Sequence, residues 1–125
     1  MDSHQRIAES FALQGLMSTL GASLAFVNDG EVHIAMPASA HISQQHVYAH
    51  AGAITSILDS ACGYAALTKA AESHEVVTAE FKINLMRPAL GVQDIRWASS
   101  ASPSGSTRST AQGPSSRSPA STGVM

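Results

Sequence analysis

One carboxylate, Asp59, stands out because it lies inside a long stretch that is otherwise almost uncharged. Residues 50–72 are rich in Ala, Leu and Ile and contain no proline. No Lys or Arg lies three or four residues from Asp59, so the same helical face offers it no oppositely charged partner. A carboxylate in such surroundings must be hydrogen-bonded, paired or open to a cleft. Asp59 is therefore a candidate general base or nucleophile; the alternative is a structural carboxylate that bonds a neighbouring backbone.

The tripeptide His50-Ala51-Gly52 lies where the helix that carries Asp59 is expected to begin. The first N–H groups of a helix lack internal partners and carry the positive end of its dipole. They could hold a carbonyl oxygen as it gains negative charge. Ala51 and Gly52 are small, so a substrate could approach the backbone closely. The alternative is a plain helix start with His50 as a loop residue.

Three histidines, His41, His46 and His50, raise the question of a metal site. His46 and His50 have the spacing of helical zinc pairs, but residues 41–49 read as a loop. The Glu of that zinc motif is also absent. We therefore expect no metal. The single cysteine, Cys62, excludes a disulfide framework and is expected to be a buried apolar side chain.

Helices and strands must position these residues. In the first part of the chain, the hydrophobic spacing predicts a helix and then a β-hairpin. Residues 5–20 have roughly helical spacing, which Gly15 interrupts or ends. Asn28-Asp29-Gly30 then separates two runs of strand-forming residues, which predicts a β-hairpin. In a turn of this kind both Asp29 and Gly30 are expected to have positive φ.

A long helix over residues 50–72 and a strand over residues 76–86 follow. One face of the helix is apolar and the other is small and polar, which indicates a helix covered on nearly all sides. The strand alternates apolar and polar residues, as an antiparallel strand with one wet face does. A sheet curled around one central helix satisfies this order of elements.

Composition divides the 125 residues into a folded domain and a tail. Residues 1–91, and possibly those up to 98, have the apolar content of one domain. Residues 99–125 contain ten serines and no Leu, Ile, Phe, Tyr or Trp. Such a segment cannot bury enough apolar area to offset its chain entropy, so a disordered tail is expected.

Charge and hydropathy exclude several classes of partner. The net charge of −2 provides no basic field for nucleic acid. The sequence contains no run of about 18 apolar residues, so no membrane span is predicted. The N-terminus lacks the basic-then-apolar layout of a signal peptide, so a cytoplasmic protein is expected.

The stretch HAGAITSILDSA, which begins at His50, resembles the hot-dog-fold thioesterases of the phenylacetic-acid-degradation (PaaI) type. Their signature is H-[GA]-G followed by a helix with Asp nine residues after the His. Gln44-Gln45 before it, and TAEFKIN from Thr78 and Arg87-Pro88-Ala89 after it, are also similar to that family. The likeness covers roughly residues 7–91.

The resemblance implies an α+β hot-dog fold, in which a curved antiparallel sheet wraps around one central helix. It also implies hydrolysis of acyl-CoA thioesters without a metal or cofactor. Family members form homodimers or homotetramers, and each active site uses residues from two subunits.

The same resemblance assigns roles to individual residues. Asp59 would be the general base or nucleophile, and the N–H of Ala51 would polarise the thioester carbonyl. Gln44 would orient substrate or water, and His50 would support the helix start. Arg87 would suit the phosphates of CoA. The implied substrate-binding residues are Gly52, Thr78, Asn84 and Arg87.

The chain departs from the family pattern after Ala89. The family continues with two or more long strands, whereas here residues 92–98 are the one candidate strand. We therefore expect a sheet that lacks its C-terminal strands, as a frameshift or a truncated gene product would leave. This makes a non-catalytic remnant that binds acyl-CoA, or is inactive, the alternative function. A hot-dog dehydratase fits less well, because the spacing from His50 to Asp59 argues against it.

Overall fold

The computed structural model describes residues 2–70 in full and, beyond them, the backbone of four strands. The helices are α1 (Ser3–Ala12), α2 (Gly15–Leu20) and α3 (Ala51–Leu67), with a 3-10 turn at Ala40–Ile42. The strands are β1 (Ser23–Asn28), β2 (Glu31–Met36), β3 (Thr78–Ile83), β4 (Ile95–Ala101), β5 (Ser106–Gln112) and β6 (Pro119–Val124).

The N-terminal region forms two short helices, as the interruption at Gly15 predicts. The side chain of Asp2 accepts a hydrogen bond from the N–H of Gln5 at 2.8 Å and caps α1. Ile7 of α1 and Met17 of α2 are buried in the core. The two helices therefore contribute apolar side chains to the same core as the sheet.

The predicted hairpin is confirmed, with one correction to its turn. Asn28 pairs with Glu31, so Asp29 and Gly30 form a two-residue loop between β1 and β2. Gly30 has a φ of 81°, but Asp29 does not have a positive φ, so the expectation for Asp29 was wrong. Of the two turn residues, only Gly30 adopts the left-handed conformation, because that conformation is costly for a residue with a side chain.

The central helix α3 packs against the sheet along its apolar face. Val32, Ile34 and Met36 alternate inward from β2 and are fully buried. They join the buried side of α3 in one hydrophobic core, whose α3 members include Ile54, Ile57, Leu58, Ala61 and Ala65. α3 also lies against the backbone of β4 and β5. Within residues 2–70, no helix is long and apolar enough to cross a membrane.

The strands form one antiparallel sheet in the order β1-β2-β4-β5-β6-β3. The expectation that the sheet lacks its C-terminal strands was therefore wrong: β4, β5 and β6 occupy its middle. The backbone of 106–112 and 119–124 is paired where the composition predicts a disordered tail. The predicted boundary at residue 91 lies outside the described residues.

The structure differs from the prediction because composition reports how much apolar area the side chains can bury, whereas strand pairing depends on the backbone. A sheet ladder is made by backbone N–H and C=O groups, which every residue except proline supplies in full. Preference for a strand depends on neighbouring strands as much as on the residue itself. Serine and threonine can therefore occupy a strand whose neighbouring strands supply backbone hydrogen-bond partners, although their side chains bury little apolar area.

The inner strands β2 and β5 should differ in local stability. Each pairs on both sides, but β2 buries three large apolar side chains whereas β5 reads STRSTAQ. We expect the amides of β5 to exchange with solvent at least ~10-fold faster than those of β2, because opening β5 exposes less apolar area. Hydrogen exchange read by mass spectrometry measures this, and equal protection of the two strands would contradict it.

Candidate functional site

The start of α3 is capped by a histidine side chain. His50 has an extended backbone (φ −65°, ψ 133°), and its Nδ1 accepts a hydrogen bond from the N–H of Gly52 at 2.8 Å. Nδ1 must therefore be the unprotonated ring nitrogen in this contact. The imidazole takes the place that Ser, Asp or Asn usually fills at a helix N-terminus.

Gly52 permits this contact because it has no side chain. A Cβ built at Gly52 would lie 3.0 Å from Nδ1 of His50 and 3.2 Å from its Cε1. A Cβ at this position would require the imidazole to shift by a few tenths of an ångström. Gly52 thus serves the cap, and the substrate-binding role that the resemblance implies for it stays a prediction.

The hydrogen bonds at the helix start leave one donor available. The carbonyl of His50 accepts from the N–H groups of Ala53 (3.0 Å) and Ile54 (3.3 Å), and Gly52 donates to the imidazole. Within residues 2–70 the N–H of Ala51 has no acceptor, and Ala51 is exposed. This N–H points out of the positive end of a 17-residue helix and can donate to an anionic oxygen.

The loop before α3 holds this start in place. The N–H of His50 donates to the carbonyl of Ile42 at 2.6 Å, and Ser43 and Ala49 form a β-bridge. Within the loop, the amide oxygen of Gln44 accepts from the N–H of His46. Gln44 therefore braces the loop that precedes the helix, and its role in orienting substrate or water stays a prediction.

Asp59 lies two turns further along α3, on its partly exposed side. This side carries Thr55, Ser56, Asp59, Ser60 and Gly63, all half-buried, as the small polar face of the sequence predicts. The hydroxyls of Thr55 and Ser56 donate to carbonyls four residues earlier, each at 2.7 Å. Asp59 is thus partly exposed and lies among short side chains.

The predicted site residues fall into separate groups. His50, Ala51 and Gly52 lie together, with Gln44 in the preceding turn. Asp59 is eight residues beyond Ala51, which at 1.5 Å per residue is about 12 Å along the helix axis. Thr78 begins β3, an edge strand. The remaining two predicted residues, Asn84 and Arg87, lie outside the described residues.

A polar cluster beside Asp59 was missed by the sequence reasoning. Nε2 of Gln14 donates to the Tyr64 hydroxyl (2.6 Å), and Oε1 of Gln14 accepts from the Ser60 hydroxyl (3.2 Å). The hydroxyl of Ser10 lies 3.0 Å from that of Tyr64. We call these four residues the Gln14 cluster. No local spacing signals it, because its members lie up to 54 residues apart.

Neither the histidines nor the cysteine forms a metal centre in the described part of the chain. Residues 2–70 contain no group of three or more His, Cys, Asp and Glu side chains placed to hold a metal ion. Cys62 is buried in α3, as predicted.

Comparison with known families and structures gives a consistent result. The model of the thioesterase superfamily matches residues 46–102. A thioesterase family protein from Silicibacter pomeroyi is 34% identical, with a TM-score of 0.85 over 98% of this chain and 95% of that protein. No curated protein sequence matches.

Two more distant structures have the same fold. The PaaI protein of the Escherichia coli phenylacetic acid degradation operon has a TM-score of 0.80 at 15% identity, over 96% of this chain and 89% of its own. PaaI from Thermus thermophilus, solved as a variant, has a TM-score of 0.78 at 19% identity, over 89% and 96%. The predicted hot-dog fold and the predicted PaaI-type resemblance are confirmed.

Removing the histidine cap should destabilise the protein measurably. We expect His50→Ala to lower the free energy of unfolding by about 1 kcal/mol, because the N–H of Gly52 loses its acceptor. His50→Asn should retain most of that stability, since Asn also caps helices. The exposed His41, replaced by Ala, is the matched control in urea denaturation. A loss with His41→Ala equal to that with His50→Ala would contradict the capping role.

Proposed function

This chain belongs to the thioesterase superfamily and is a thioester hydrolase, and we propose that its substrates are acyl-CoA thioesters. Hydrolysis would yield a carboxylic acid and CoA, and would use side chains and backbone of the protein without a metal or cofactor. The observation that carries this proposal is the available N–H of Ala51 at the start of α3.

Ala51 would act through its backbone. The thioester carbonyl would accept a hydrogen bond from this N–H, and the bond would strengthen as the oxygen becomes an oxyanion in the transition state. His50 would keep the donor in place by capping the next N–H. Because the contact is made by the backbone, alanine serves as well as the glycine that many family members have.

Asp59 would supply the second function. Its carboxylate would either attack the carbonyl carbon, giving an anhydride that water then hydrolyses, or take a proton from the attacking water. In both routes the CoA thiolate leaves and is protonated, and one water molecule is consumed. The partly exposed, small-residue face of α3 gives a substrate access to this carboxylate.

The two groups cannot act together within one chain. About 12 Å of helix separates Ala51 from Asp59, whereas both must contact the same carbonyl group at about 3 Å. A second copy of the chain, with its α3 antiparallel to the first, would bring Asp59 of one copy to Ala51 of the other. We therefore propose a homodimer, or a homotetramer built from it, with two equivalent sites.

Four other residues complete the proposed site. Gln44 would position substrate or water from the turn before α3, and Thr78 would lie at the edge strand β3. Asn84 and Arg87 would contact the CoA moiety, where a cation suits the phosphates.

Asp59→Asn should keep the fold and lower the rate of hydrolysis at least ~100-fold, since the amide neither attacks nor accepts the proton. Steady-state hydrolysis of an acyl-CoA, followed by the released thiol, measures this. Asp29→Asn is the matched control, because Asp29 is an exposed turn carboxylate bonded to Lys69. Near-wild-type hydrolysis by Asp59→Asn would rule out the catalytic role, and binding without hydrolysis by the wild type would favour the non-catalytic remnant.

Ala51→Pro should remove the proposed oxyanion donor without disturbing the helix. Proline is favoured at the first helical position, and His50 already has the extended backbone that a following proline requires. We expect kcat to fall ~100-fold or more, with far-ultraviolet circular dichroism unchanged. Ala51→Gly retains the N–H and should remain active. Full activity of Ala51→Pro would show that another group stabilises the oxyanion.

A further inference from the structure

The Gln14 cluster ties the junction between α1 and α2 to the middle of α3. Both ends of the Gln14 amide are engaged, the nitrogen with Tyr64 and the oxygen with Ser60. Tyr64 is 6% exposed, and its ring contacts the ring of Phe11 at a centroid distance of 6.3 Å. A residue of the junction itself thus bridges two side chains that are one helical turn apart.

The position of this contact relative to Asp59 follows from helix geometry. Successive residues of a helix rotate by about 100°, so Ser60 and Tyr64 lie on one side, adjacent to the side that carries Asp59 and Gly63. The junction therefore runs along the flank of the Asp59 face. Among residues 2–70, a Cβ at Gly63 would have no neighbour within 4 Å, so these residues leave the space over this face open.

The junction also exposes apolar side chains. Leu13 and Leu16 lie on either side of Gln14 in the sequence and are 86% and 54% exposed. Large apolar side chains at this level of exposure leave apolar area that a bound acyl chain could cover.

We propose that the α1–α2 junction is one wall of the open space over Asp59, that it contacts the acyl group of the substrate, and that Gln14 is the positioning residue that holds this wall. The inference rests on the proposed hydrolysis of acyl-CoA at Asp59. It specifies the substrate class further: apolar acyl groups long enough to reach the junction are bound more tightly than acetyl.

The test is the dependence of the kinetics on acyl length. Gln14→Leu removes both amide contacts, so these hydrogen bonds no longer hold the α1–α2 junction against α3. We expect KM for octanoyl-CoA to rise about 10-fold with kcat little changed, because ground-state and transition-state binding are lost together. Acetyl-CoA is too short to reach the wall, and its kcat/KM should not change.

Two further variants separate positioning from general stability. In Gln14→Glu the carboxylate can accept from the hydroxyls of both Ser60 and Tyr64, so octanoyl-CoA kinetics should be rescued. Asp2→Ala removes the cap of α1 without touching the cluster and should leave the ratio of octanoyl to acetyl kcat/KM unchanged. An equal loss with both substrates in Gln14→Leu, or the same ratio change in Asp2→Ala, would overturn the inference. So would dissociation of Gln14→Leu to monomers in sedimentation, which would make the junction a subunit contact.

Binding of thioethers distinguishes this inference from the proposed function, because these compounds cannot be hydrolysed. We expect the wild type to bind S-octyl-CoA more tightly than S-methyl-CoA in calorimetry, and Gln14→Leu to lose about 10-fold of that preference. If the wild type shows this preference but hydrolyses no acyl-CoA, the proposed function is refuted, whereas the inference that the junction contacts the acyl group still stands. Absence of a chain-length preference in the wild type would refute the wall whether or not hydrolysis occurs.

Discussion

The hydrogen bond from the N–H of Gly52 to the imidazole of His50 is the contact on which the rest of the site depends. It defines where α3 begins, and thereby which backbone N–H is left available to a substrate. The loop bonds at Ile42 and Gln44 hold His50 in place, and the missing side chain at Gly52 makes room for the ring. Without this cap the helix end would fray, and its positive charge would no longer be directed at one point.

The separation of Ala51 from Asp59 along α3 is the second constraint, and it is the reason that we propose a site shared between two copies of the chain. A rigid helix cannot bend to bring two residues about 12 Å apart onto one carbonyl group. In the proposed mechanism the same helix would therefore play two roles in two copies of the chain, with one copy providing the N–H and the other providing the carboxylate. The partly exposed face of small side chains on α3 is consistent with close approach by substrate and partner.

The residues that could be predicted from the sequence are those whose signal is local. The helix around Asp59, the hairpin at Gly30 and the cap tripeptide each lie within a few residues, so spacing alone locates them. The Gln14 cluster could not be predicted this way, because Gln14 and Tyr64 are separated by 50 residues and meet only in the folded chain. The prediction that the C-terminal strands are missing was wrong for another reason. Their side chains offer little apolar area, but their backbone pairs with strands that offer more.

Mixing two inactive variants tests whether each site combines Ala51 of one chain with Asp59 of another. Ala51→Pro and Asp59→Asn are unfolded together in equal amounts and refolded, so that half of the dimers contain one chain of each. Such a dimer has one site with both functional groups and one with neither. We expect recovery of about a quarter of wild-type activity. Activity that stays at the level of the separate variants, while mixed dimers are present, would contradict it.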